Sequence, residues 1–91
     1  MNLTRALAME VVGEGVRVNS VCPGAMATHF GPGARAPWDT AILEKMAKAQ
    51  PLGRIVDPAD AANAALFLAS DLACSITGVN LAVDAGMSAG R

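Results

Sequence analysis

Apolar positions along this 91-residue chain follow two periods, and the change from one to the other marks its elements. Leu3, Leu7 and Val11 recur every fourth residue, which predicts a helix over Asn2–Val12 with that stripe facing a core. Asn2 has the chemistry of an N-cap, although no Glu or Gln follows three residues later to complete a capping box. Gly13-Glu14-Gly15 ends the helix. Val16, Val18 and Val21 then give a β-branched run, predicting a buried strand over Val16–Cys22 that Pro23 closes because it has no N–H for a ladder. Gly24 bares the main chain at the turn, so another group can approach it closely.

A Gly- and Pro-rich loop follows Thr28 as far as Asp39. Asp39 or Thr40 can cap a helix running to about Lys48, with Ile42, Leu43 and Met46 on its apolar side and Gln50-Pro51 at its end. Pro51-Leu52-Gly53-Arg54 reads as a connecting turn. Asp57-Pro58-Ala59-Asp60 is a helix start: the first Asp caps, Pro fits the first turn, and Asp60 sits at the positive end of the dipole. That helix runs to about Ser70, and its alanines predict close packing on a sheet or another helix. Ser75–Gly78 is a turn, and the alternation of Val79, Leu81 and Val83 predicts a last strand ending at Asp84. Met87–Arg91 is expected to be loose unless a partner covers it.

Strands separated by helices point to an α/β, doubly wound parallel sheet, of which this chain holds two strands and about three helices. The length allows one small domain at most, and the chain has no internal repeat or linker. At 53% hydrophobic it is too apolar for disorder, yet no apolar run is long enough to span a bilayer. The net charge of −1, with both signs dispersed, favours neither nucleic acid nor an anionic membrane. Cys22 and Cys74 lack metal-ligand spacing, and no metal site is expected. Both read as reduced thiols of a cytoplasmic protein, with Cys22 packed as a small hydrophobe. His29 reads as a polar loop residue, since nothing nearby in sequence orients it as a base.

The run R-V-N-S-V-C-P-G-A-M-A-T over 17–28 resembles the late-strand motif of the short-chain dehydrogenase/reductase family, N-x-[V/I]-x-P-G-x-[I/V/M]-x-T. N-L-T-R-A-L-A-M-E precedes it, and P-L-G-R, P-A-D-A-A, F-L-A-S-D, I-T-G and V-D-A-G follow in family order. The resemblance implies a Rossmann-type fold in which the loop after Pro23-Gly24 lies along the nicotinamide end of NAD or NADP. It implies that the Met26 main chain bonds the carboxamide, and that the Thr28 hydroxyl reaches the carboxamide or pyrophosphate. It also implies a substrate lid over residues 28–50, with Phe30, Trp38 and Met46 as candidates for its lining; for each of the three taken singly, packing of the lid onto its own domain is the simpler reading. Two recurrent family interfaces, one on the first helix and one on the last strand with its preceding helix, imply a homo-oligomer.

The family's chemistry is incomplete here. The chain contains no Tyr, and Lys45 and Lys48 have none four residues upstream, so no catalytic residue is assigned within it. No glycine-rich phosphate turn follows a first strand. Residues 1–91 therefore read as the C-terminal part of one NAD(P)-binding domain, inactive alone, from an oxidoreductase moving hydride between nicotinamide and a small carbonyl or secondary alcohol. The alternative is a non-catalytic chain that docks with intact subunits. An in-frame upstream extension carrying T-G-x-x-x-G-x-G and Y-x-x-x-K separates the two.

Overall fold

The computed structural model describes residues 2–24, 26 and 40–90. Helix α1 spans Leu3–Val11, and Asn2 caps it as expected, its side-chain oxygen accepting from the Arg5 N–H at 3.0 Å. A single 3-10 turn, Val12–Glu14, tightens its end before Gly15 reverses the chain at φ 73°. Strand β1 covers Ser20–Pro23, helix α2 Thr40–Lys48, helix α3 Pro58–Ala69 and strand β2 Asn80–Val83. The two strands pair in parallel, Ser20 beside Asn80 through Pro23 beside Val83, so both run out at one edge of the sheet. Asp57 caps α3 by accepting from Ala59 N–H at 2.8 Å, with Pro58 in the first turn.

The strand expected over Val16–Cys22 is shorter and displaced toward its end. Residues 17–19 are fastened mainly by side chains. Val18 N–H donates to the Thr77 hydroxyl at 3.0 Å, and Val79 N–H donates to the Asn19 side-chain oxygen at 3.0 Å. Arg17 donates to the carbonyls of Ile76 at 3.1 Å and Ser70 at 3.3 Å, and the Asn19 amide shares the Ile76 carbonyl. These polar residues stitch the start of β1 to the turn before β2, which leaves only the last four positions as regular ladder. Pro23 belongs to β1 rather than following it. A proline is tolerated there because the next rung comes from Gly24 N–H, donating to the Val83 carbonyl at 3.0 Å.

Helix α3 packs across both strands, covering the face that carries Val21, Leu81 and Val83. The other face, with Cys22, Asn80 and Ala82, is exposed. Cys22 is therefore not packed as expected: its strand has one covered face, whereas a buried parallel strand needs both. Among the described residues the buried apolar ones are few and mostly small: Ala8, Val56, Leu68 and Ala73. In α1 the packed position is Ala8, which meets Gly78, while the expected core stripe is displaced, with Leu3 77% exposed. The alanine-rich side of α3 divides similarly: Leu68 is buried, whereas Ala65 and Ala69 are exposed, all three bordering a cleft of about 570 Å³ shared with Gly15, Arg17, Asn19 and Val21. The chain end is ordered, not loose, through Gly90: Met87–Gly90 form a 3-10 turn begun by Met87 N–H on the Asp84 carbonyl.

Candidate functional site

The C-terminal edge of the sheet gathers the described candidates. Pro23 ends β1 there, Gly24 follows, and half-buried Met26 lies just beyond. In open parallel sheets the crevice outside the carboxyl ends of the strands is where ligands lie, because loops diverge there and leave main-chain groups accessible. Thr28, His29, Phe30 and Trp38 lie outside the described residues. Met46 is half-buried on α2 with Leu43 and Ala47, while Ile42, expected on the same apolar side, is 50% exposed.

Gly24 owes its identity to an internal contact. A Cβ there would lie 2.8 Å from the Asp84 Cα and 2.9 Å from its Cβ, so only glycine lets the two turns touch. Asp84 in turn organises the residues after β2. Its Oδ1 accepts from Gly86 N–H and its Oδ2 from Ser88 N–H, both at 3.1 Å. The Ser88 hydroxyl, foremost, and these two N–H groups hold the Asp84 carboxyl below the ordinary carboxylate range, outweighing a desolvation effect in the opposite direction. Ala85 occupies the left-handed region at φ 55°, and Gly86 follows at φ 90°.

The chain returning from α2 reaches the same turn. Leu52 N–H donates to the Ala85 carbonyl at 3.0 Å, and Gly86 abuts Pro51, whose Cβ lies 3.1 Å from where a Gly86 Cβ would stand. Gln50, at the foot of α2, is buried, and its side-chain oxygen finds no partner among the described residues. A hollow of about 230 Å³ opens beside this turn, lined in part by Leu52, Arg54, Asp60 and Asp84. The Arg54–Asp60 pair on its rim, 3.5 Å apart and well exposed, adds little stability. Among the described residues no group of three or more His, Cys, Asp or Glu could hold a metal ion, and no helix is long and apolar enough to cross a membrane.

Asp84, the structural centre of this corner, is not among the residues that the sequence singles out. The signal was present: an Asp two residues before Gly and four before Ser is the pattern of a side chain that accepts from its own following backbone.

Residues 1–88 match the family described as enoyl-(acyl carrier protein) reductase. The chain is 47% identical over 88 residues to a 2,5-dichloro-2,5-cyclohexadiene-1,4-diol dehydrogenase of Sphingobium indicum, covering 97% of this chain and 34% of that protein. It is 43% identical over 89 residues to the meso-2,3-butanediol dehydrogenase of Serratia marcescens, again 34% of the relative's length. The crystal structure of an oxidoreductase of the short-chain dehydrogenase/reductase family from Burkholderia thailandensis superimposes with a TM-score of 0.79 at 42% identity. That match covers 97% of this chain and 34% of the other. The chain thus spans about a third of the length of the curated relatives it matches.

Proposed function

The chain belongs to the short-chain dehydrogenase/reductase family, and we propose on that footing that it forms the C-terminal part of an NAD(P)-dependent oxidoreductase. The observation that carries the reading is the place of the Pro23-Gly24 turn. It sits where β1 and β2 both end, on the edge where an open parallel sheet receives ligands. Main-chain groups at Met26 and the hydroxyl of Thr28 are chemically suited to the amide of a nicotinamide, which needs one donor and one acceptor. Bound there, the nicotinamide supplies the hydride for a small carbonyl or accepts it from a secondary alcohol.

This chain's share is positioning. Pro23, Gly24, Met26 and Thr28 orient the cofactor ring, and residues 28–50, with Phe30, Trp38 and Met46 as lining candidates, enclose the substrate and exclude water. By resemblance to the family the proton donor is the Tyr of a Tyr-x-x-x-Lys motif, and these 91 residues contain no Tyr, so the chain alone turns nothing over. The complete protein acts in the cytoplasm as a homo-oligomer. The large apolar residues left uncovered, Leu3, Met9, Leu66 and Leu72, favour as a second reading a chain that serves only to dock with intact subunits.

The test is Thr28→Val in the complete chain carrying this segment. Loss of a buried hydrogen-bond partner should weaken cofactor use by about 1–3 kcal/mol in Kd or kcat/KM. The 91-residue chain alone should give no saturable fluorescence change with NADH or NADPH at micromolar concentrations. Unchanged cofactor affinity and turnover in Thr28→Val would sink the assignment, and saturable binding by the isolated chain would show that the site is more complete than proposed.

A further inference from the structure

Gly24, where the chain leaves the sheet, and Pro51-Leu52, where it returns, meet neighbouring residues of one turn, 84–86. At the outgoing end, Gly24 lies directly on Asp84, with no space for a side chain between them. At the returning end, Leu52 N–H donates to the Ala85 carbonyl, and Pro51 packs against Gly86. Helix α2, which precedes that return, shares no extensive packing with any other described element. Among the described residues, its link to the sheet runs through residues 50–52 and the turn they rest on.

The shape of the turn depends on one carboxylate. Asp84 grips Gly86 N–H with one oxygen and Ser88 N–H with the other, which closes the chain tightly enough to hold Ala85 in the left-handed region. Ala85 is an unfavourable occupant of that conformation, so the turn is maintained by its hydrogen bonds and not by local preference. An acceptor is needed at both oxygens. A carboxylate supplies two, and an amide only one.

We propose that Asp84 is a positioning residue: by shaping the 84–86 turn it fixes the exit of β1 at Pro23-Gly24 relative to the foot of α2. Its consequence for turnover rests on the function proposed above, because those two segments are the proposed cofactor contact and the base of the substrate enclosure. Small displacements of such groups are costly, a misplacement of about 1 Å reducing rates up to roughly a hundredfold.

The experiment compares Asp84→Ala, Asp84→Asn and Asp57→Ala in the complete chain carrying this segment. Asp57→Ala removes the cap of α3 and serves as the destabilised control, since it leaves the 84–86 turn alone. Two readouts are taken: hydrogen exchange at the Gly24 and Leu52 amides, which are bonded to Val83 and Ala85, and steady-state kinetics. In Asp84→Ala both amides should exchange about tenfold faster together, and kcat/KM should fall by about ten- to a hundredfold. Asp84→Asn, keeping one acceptor, should lie between, and Asp57→Ala should change neither readout comparably. Faster exchange at only one amide, or at neither, overturns the linkage. Linked exchange with kinetics no worse than in Asp57→Ala overturns the positioning role. Absence of NAD(P)-dependent turnover in the unmutated complete chain overturns the proposed function instead, and the paired exchange then decides the linkage alone.

Discussion

Gly24 and Asp84 touch backbone to backbone across the end of the sheet: a Cβ on Gly24 would meet the Asp84 Cα at 2.8 Å, well inside any ordinary carbon contact. The atom in the way is main chain and cannot swing aside as a side chain does. Gly24→Ala should therefore force the two turns apart. The expected cost is that of overpacking a tight site, about 1–3 kcal/mol of unfolding free energy in the complete chain. Denaturant unfolding followed by fluorescence measures it. A variant as stable as the parent would mean that the contact is looser than it stands here.

Ala85 offers the opposite experiment. At φ 55° its Cβ crowds the following carbonyl, a strain of about 1–2 kcal/mol that glycine avoids. The turn reads Asp84-Ala85-Gly86, so the residue ahead of the glycine carries a Cβ. Glycine gives back part of the gain through the extra freedom of the unfolded chain, about 0.4–1 kcal/mol. Ala85→Gly should therefore be stabilising by about 0.5–1 kcal/mol net, seen as a higher thermal midpoint of the complete chain. A lower midpoint would show that the Ala85 methyl makes contacts worth more than its strain.

How far the sequence was legible depended on where each signal originates. Local signals read well. Asn2 and Asp57-Pro58 cap their helices as their chemistry requires, and Gly15 terminates the first by turning left-handed. Periodicity located α1 but chose the wrong face, because a helix packs on whatever its neighbours leave open. Ala8 lies against Gly78, and Leu3 and Leu7 are left 77% and 39% exposed. Cys22 differs from expectation for the same reason: a β-branched strand signals burial on two faces, but among the described elements α3 covers just one of them. The tail was misread because its order comes from a side chain, Asp84, gripping Ser88 N–H four residues on, a bond that hydropathy does not register. In the candidate site, Pro23-Gly24 was visible as a turn, whereas its partner lay sixty residues away and no local pattern pairs them.

The last prediction concerns the 91-residue chain in isolation, and it follows from what the fold leaves uncovered. Among the described residues the sheet has two strands, and two strands with one covering helix are marginal in water. No large side chain is fully buried among the described residues, while Leu3, Leu72, Met9 and Leu66 are 77%, 83%, 73% and 69% exposed. The outer edge of β1 pairs with no described strand, which leaves its backbone groups as a template for intermolecular pairing. Hydrophobic burial on this scale does not offset the conformational entropy of ordering the chain. Expressed alone, it should be molten or aggregating, binding a hydrophobic dye and lacking dispersed amide resonances. Co-expression with the upstream part of the domain, or with an intact subunit, should restore solubility by covering α1 and the free edge of β1. A soluble monomer with sharp amide dispersion and a cooperative thermal transition would prove this wrong, and would mean that the small core around Ala8, Val56, Leu68 and Ala73 suffices by itself.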